Sequence, residues 1–293
     1  MSIKDYWQSR QKLVDEALDR YLPKENEKPE TLHRAMRYSL FAGGKRLRPV
    51  LTLAACEAVG GDYRRAMPLA CAVECIHTYS LIHDDLPCMD DDDFRRGKPT
   101  NHRVFGEGVA VLAGDALQAL AFYLISQSKA GRRYEHRAYL AELAWAAGSH
   151  ALVGGQVADM EGERKKLSLE ELEFIHRGKT AALICSSLRL GAMAGDAGEA
   201  ELRAITRFGQ AVGLAFQVVD DILDVTQTSE KLGKSAGKDI AAEKSTYPAL
   251  LGLEEAKKVA ERLTKKAIDA LKVLGQKGER LKELANLMLK REN

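Results

Sequence analysis

The sequence predicts an all-α fold, one large bundle of about ten or more helices, on three observations. Apolar residues recur at helical spacing, as in Leu13, Ala17 and Leu18 or Leu263, Ala267, Ala270 and Leu271. Alternation of the kind that marks a half-buried strand is hard to find. The 45% of apolar residues is spread evenly over 293 positions, which suits one core and reads as a single domain over 1–293.

In chain order, helices are expected over 5–21, 31–42, 47–59, 64–86, 108–129, 136–153, 169–177, 179–194, 199–225, 254–273 and 278–291. Pro23 and Pro29 bracket a polar linker after the first. Ser168-Leu169-Glu170-Glu171 matches a capping box and starts the helix at 169. Two segments, 87–107 and 226–246, refuse the pattern. Both are rich in charge, Gly or Ser, and each follows a helix that ends in aspartates.

Charge and cysteine usage narrow the function classes. Lys plus Arg number 44 and Asp plus Glu 42, so no global field favours nucleic acid or an anionic membrane. Five cysteines, at 56, 71, 75, 88 and 185, make no zinc spacing and fit reduced thiols in a cytoplasmic protein. Residues 1–21 are charged throughout, unlike a secretory signal. No stretch of roughly 18 apolar residues suggests a membrane span.

The first acidic cluster is Asp84-Asp85-Leu86-Pro87-Cys88-Met89-Asp90-Asp91-Asp92-Asp93, followed by Phe94-Arg95-Arg96-Gly97. Such a run is either a solvated loop or the seat of a hard cation, because neighbouring carboxylates repel. On a continuous helix Asp84 and Asp90 point about 120° apart, but Pro87 ends or bends the helix and would turn Asp90 back. The second cluster places Gln217, Asp221 and Asp224 at i, i+4 and i+7, with Asp220 beside them. Its surroundings, Phe216, Val218, Val219, Ile222, Leu223 and Val225, are those of a core helix, where a carboxylate needs a partner. A buried salt bridge is one reading; two acidic jaws around bridging metals is the other. All-oxygen donors outside an EF-hand pattern favour magnesium over zinc or calcium.

Magnesium held by few carboxylates calls for phosphate oxygens, and phosphate calls for cations. Gly43-Gly44-Lys45-Arg46-Leu47-Arg48-Pro49 offers three beside a flexible glycine pair, Arg95 and Arg96 follow the first cluster, and Lys179, Lys234, Lys238 and Lys244 flank the second. Each alone reads as a surface charge; together they suggest a diphosphate site. Gly178-Lys179-Thr180 is no P-loop, since position 173 is Glu and no strand precedes it. His77 lies seven residues before Asp84 and shares its helical face, as a core histidine or an anion contact.

With these elements in order the chain resembles the short-chain trans-prenyltransferases of the polyprenyl synthetase family, and among them the bacterial farnesyl diphosphate synthases. The resemblance rests on Gly43–Pro49, Glu74-Cys75-Ile76-His77, Asp84-Asp85-x4-Asp90 with Arg95-Arg96-Gly97, Gly154-Gly155-Gln156, Gly178-Lys179-Thr180, Phe216-Gln217-x2-Asp220-Asp221-x2-Asp224, Gly233-Lys234 and Lys244-Ser245-Thr246-Tyr247-Pro248. It implies a bundle around a central apolar cavity. The implied reaction is magnesium-dependent head-to-tail condensation of isopentenyl diphosphate with dimethylallyl and geranyl diphosphate. The product would be (2E,6E)-farnesyl diphosphate, formed by ionisation, condensation and elimination in a homodimer without nucleic acid or membrane insertion.

By the same resemblance, Asp84, Asp85, Asp90, Asp220 and Asp224 hold three magnesium ions on the allylic diphosphate. Arg95, Lys179, Lys234 and Lys244 grip that diphosphate, and Lys45, Arg48, His77 and Arg96 hold isopentenyl diphosphate. Thr180, Gln217 and the Lys179 carbonyl face the carbocation. Tyr79, beside the small Ser80, stands about 7.5 Å below Asp84. In the family an aromatic there, with two extra residues in the first motif, here Pro87 and Cys88, goes with stopping at fifteen carbons. An ideal helix turns Tyr79 about 140° from Asp84, so it must lean back to block the tail. The alternatives are a geranyl or geranylgeranyl diphosphate synthase, a terpene cyclase, which would not use the second diphosphate pocket, and a non-catalytic subunit. The tail Lys290-Arg291-Glu292-Asn293 matches the family's basic terminus only in part. Lys238 has no assigned role.

Overall fold

The computed structural model describes residues 1–163, 165–226 and 245–289. Helices dominate it: α1 (Ile3–Tyr21), α2 (Glu30–Leu40), α3 (Leu47–Ala58), α4 (Tyr63–Asp84), α5 (Asn101–Phe105), α6 (Glu107–Ser126) and α7 (His136–Ala147). They continue as α8 (Leu152–Gly162), α9 (Leu169–His176), α10 (Ala182–Ala194), α11 (Glu199–Thr226), α12 (Tyr247–Leu251), α13 (Leu253–Ala270) and α14 (Glu279–Leu289). A π-helical turn, Arg177–Ala181, joins α9 to α10, and a 3-10 stretch, Leu271–Gly278, joins α13 to α14. The all-α expectation holds. Its sole sheet among the described residues is a hairpin of β1 (Phe94–Arg95) and β2 (Lys98–Pro99).

Local chemistry sets the helix starts. Ser2, Asp62 and Thr246 accept backbone N–H bonds at the N-termini of α1, α4 and α12, and the capping box at Ser168 forms in full on α9. Helix α4 runs through the middle of the molecule, with Ala70, Val73 and Ile76 fully buried, and packs on α3, α6 and α10. Glycines allow these close crossings. A Cβ at Gly114 of α6 would stand 2.1 Å from His83 Nε2 on α4, and one at Gly191 of α10 would stand 1.9 Å from the Thr52 carbonyl oxygen on α3.

Several expectations are corrected. The helix expected over 136–153 ends at Ala147, because Gly148 and Ala151 leave helical backbone, and α8 runs on through residues to which no helix was assigned. The segment 87–107 holds the hairpin and α5 rather than loop alone. Helix α6 is long and apolar enough, by composition, to cross a membrane, contrary to the reading that no such stretch exists. It packs one face on α4 through Ala110, Ala113, Leu117, Ala121 and Ile125 and leaves Leu112 and Tyr123 exposed. Cys56, Cys71, Cys75 and Cys185 are buried, Cys88 is exposed, and all five are free thiols.

Candidate active site

The first acidic cluster is built by the end of α4. The chain turns at Pro87, and Asp90 N–H bonds back to the Asp84 carbonyl at 2.9 Å while Asp92 N–H reaches the Asp85 carbonyl at 3.3 Å. The expected return of Asp90 toward Asp84 is therefore a property of the backbone. Burial pushes the Asp84 carboxyl up to about 6, opposed by Lys179 and reinforced by Asp90. Burial also raises Asp85, against the pull of Arg95. Arg95 forks onto Asp85, with Nε at 2.8 Å and Nη2 at 2.6 Å from Oδ1. The two-residue hairpin turn Arg96-Gly97, with φ of 53° and 74°, aims these neighbouring arginines apart.

Arg96 reaches instead to the loop before α3, where its guanidinium donates to the Gly43 carbonyl. A Cβ at Gly44 would stand 2.5 Å from Arg96 Nη1, so the glycine pair makes room for this arginine. Trp7 and Gln11 of α1 hold the same loop through the carbonyls of Lys45 and Gly44, at 2.8 and 3.0 Å. The three cations of this loop have separate fates. Lys45 is exposed to solvent. Arg46 is 4% exposed, adopts left-handed backbone, and pairs with Glu74 at 2.9 Å and Asp15 at 2.7 Å, so it braces the fold. Arg48 has a buried Nε with no partner, and burial lowers its guanidinium to about 10. His77 sits with Arg48 and Arg96, and burial followed by those charges keeps its imidazole neutral, well below its usual value. Arg48, His77 and Arg96 thus form a cationic recess suited to an anion.

The second site wall is the π turn. It is pinched between two glycines: a Cβ at Gly155 of α8 would stand 2.2 Å from Lys179 N, and one at Gly213 of α11 would stand 2.8 Å from Ala181 Cα. This wide turn points Lys179 at Asp159 of α8, at 2.7 Å, and at Asp84, at 3.8 Å. Asp159 escaped the sequence reading, although Gly154-Gly155-Gln156 three residues earlier flagged the segment. Thr180 is half-buried beside Lys179, and Gln217 lies one helical turn beyond Gly213 on α11.

On α11, Asp220 is half-buried, and Asp224 is buried with Oδ2 lacking a hydrogen-bond partner. Asp221, one turn after Gln217, is already engaged: it accepts from His176 at 3.1 Å and from Tyr247 N–H at 2.9 Å. Lys234, Lys238, Lys244 and Arg291 lie outside the described residues. Tyr79 is 5% exposed, its ring edge-on to His83 at 5.7 Å, on the side of α4 that meets α6, and burial raises its phenol. Ser80 is half-buried and its hydroxyl donates to the His77 carbonyl at 2.9 Å.

The residues fit a hard divalent cation. Asp224 Oδ2 is an orphaned buried carboxylate oxygen, and the raised Asp84 carboxyl is one that a cation would favour in its charged form. Among the described residues no three His, Cys, Asp or Glu side chains converge on one point, so the missing ligands would be diphosphate oxygens.

Comparison with known proteins agrees with this geometry. The polyprenyl synthetase family model matches residues 29–288. Plant proteins named as geranylgeranyl pyrophosphate synthases are 52–55% identical over 83–97% of the chain. The one from Capsicum annuum is 54% identical, covering 96% of this chain and 76% of its own. Among solved structures, an FPP/GFPP synthase from Zymomonas mobilis is 36% identical, covers 98% of each chain and has a TM-score of 0.85. A geranylgeranyl pyrophosphate synthetase from Pyrococcus horikoshii is 34% identical, covers 99% of this chain and 98% of its own, and has a TM-score of 0.89. A putative farnesyl-diphosphate synthase from Marinomonas sp. MED121 is 40% identical, covers 99% of this chain and 100% of its own, and has a TM-score of 0.86. The curated plant relatives and the solved bacterial and archaeal structures thus differ in named product but agree on the broader assignment: the chain belongs to the polyprenyl synthetase family and is a prenyltransferase.

Proposed function

We propose that this prenyltransferase joins isopentenyl diphosphate head to tail to an allylic diphosphate with the help of magnesium, and that its main product is geranylgeranyl diphosphate. The observation that supports the reaction is two groups of charged side chains along α4, each suited to a diphosphate. Asp84 with Lys179 marks one, at the helix end; Arg48, His77 and Arg96 mark the other, two turns below. Bound magnesium supplies positive charge for the leaving diphosphate. Lys179 and Arg95 add cations at the same place. The allylic C–O bond breaks with its electron pair going to diphosphate, and Thr180 and Gln217 offer neutral oxygens to the carbocation. The isopentenyl double bond attacks the cation, and a proton lost to diphosphate restores an alkene. The carbocation requires a site closed to water. No protein nucleophile takes part.

The twenty-carbon reading is supported by the curated plant relatives, at 52–55% identity nearer to this chain than the solved structures titled for farnesyl products. The fifteen-carbon reading rests on Tyr79, a bulky buried side chain between α4 and α6. Incubation with dimethylallyl and isopentenyl diphosphates and magnesium, followed by chromatography, decides between them. A twenty-carbon product is expected; a fifteen-carbon product that Tyr79→Ala lengthens would establish the farnesyl reading. Absence of any product would favour a non-catalytic subunit. The open face of α6, with Leu112 58% and Tyr123 59% exposed, suits a homodimer contact, which light scattering would test.

A further inference from the structure

We propose that His176, Asp221 and the backbone of Tyr247 form a clamp that sets the Lys179–Thr180 turn against the Asp220 and Asp224 face, making His176 and Asp221 positioning residues for allylic ionisation. This rests on the assignment of those groups to the allylic site. Asp221 Oδ2 takes two donors from two other elements, His176 Nε2–H at 3.1 Å and Tyr247 N–H at 2.9 Å. The His176 ring stacks on Tyr247 at 5.8 Å and 16°, and the Tyr247 hydroxyl donates to Glu173 at 3.1 Å, so α12 grips α9 at two points.

Both side chains of the pair are nearly buried, at 13% and 9% exposure, so neither is an ordinary surface charge. Position explains the consequence. His176 immediately precedes the π turn that carries Lys179 and Thr180. At 100° per residue, fixing Asp221 inward leaves Asp220 and Asp224 about 40° apart and to one side of it. A single carboxylate therefore locks both the rotation of α11 and the approach of the π turn, with Tyr247 as its second anchor.

Steady-state kinetics with each substrate varied separately test this. His176→Phe keeps the stacking ring and deletes the donor; kcat should fall about tenfold and KM for the allylic diphosphate rise, with KM for isopentenyl diphosphate unchanged within about twofold. His176→Gln, which can still donate, should recover most of the loss. Asp221→Asn, which keeps an acceptor oxygen, replaces His176→Phe if that variant does not fold. Magnesium activation of His176→Phe should match the wild type, since imidazole is not a proposed metal ligand. A folded His176→Phe enzyme with unchanged kcat and both KM values overturns the clamp, as does an equal rise in both KM values. Asp84→Ala measured alongside separates the two ideas: full turnover there would sink the allylic-site assignment itself.

Discussion

At the scale of single residues, the carboxyl of Asp84 has a pH signature of its own. Burial raises it to about 6, above its value in an unfolded chain near 4. A carboxyl raised in the folded state contributes stability that is complete below pH about 4 and lost as pH rises through about 6. Asp84→Asn cannot ionise, so in metal-free protein it should be more stable than wild type by about 3 kcal/mol at pH 8, with the gap closing toward pH 4. Urea unfolding at the two pH values measures this, and an equal gap at both would show that Asp84 is not desolvated. The same variant should lose activity by one to two decades, as expected when a strong charge-assisted contact worth about 1.5–3 kcal/mol is removed. Arg96→Ala and His77→Ala should mainly raise KM for isopentenyl diphosphate, whereas Asp220→Ala should mainly lower kcat. One shared kinetic defect across these variants would merge the two anion sites into one.

At the scale of elements, the π turn between two glycines is the most constrained piece of backbone near the site. Gly155→Ala places a methyl group against Lys179 N, where no side chain can move aside, and should reduce both melting temperature and kcat, the latter at least tenfold. Gly108→Ala, near the start of α6, meets nothing within 4 Å and should stabilise the protein by about 0.5–1 kcal/mol, which calorimetry would register. Much of this architecture was legible beforehand. The capping box at Ser168, the two aspartate-ended helices and the break at Pro87 each signal through local chemistry. Helix α8 was not legible, because Gly154, Gly155 and Gly162 carry no helical periodicity of their own and Gly155 owes its place to the close approach of the π turn. The inward turn of Asp221 was hidden for a related reason: its partners lie 45 residues before and 26 after it, beyond any helical period. Arg46 looked like Lys45 and Arg48 until its carboxylate partners came from α1 and α4.

At the scale of the whole molecule, that Arg46 brace ties α1, α3 and α4 together. Glu74→Ala would remove the buried one of the two carboxylates on Arg46 and should cost about 1.5–3 kcal/mol, visible as a shift of the denaturant midpoint. Chelation of magnesium should abolish turnover without unfolding the chain, because the bundle is held by apolar packing and by this brace rather than by metal; full activity in verified metal-free protein would exclude the proposed chemistry. The two anion sites also differ in how their cations are neutralised before any substrate arrives. Arg95 already holds Asp85, and Lys179 already holds Asp159. Among the described residues neither Arg48 nor Arg96 has a carboxylate within 4.0 Å. On the proposed function, an allylic diphosphate arriving with its metals would trade places with internal carboxylates, an ion exchange that leaves bulk electrolyte almost uninvolved. Isopentenyl diphosphate would instead discharge arginines without a paired carboxylate, so added potassium chloride should raise its KM steeply while barely moving that of its allylic partner.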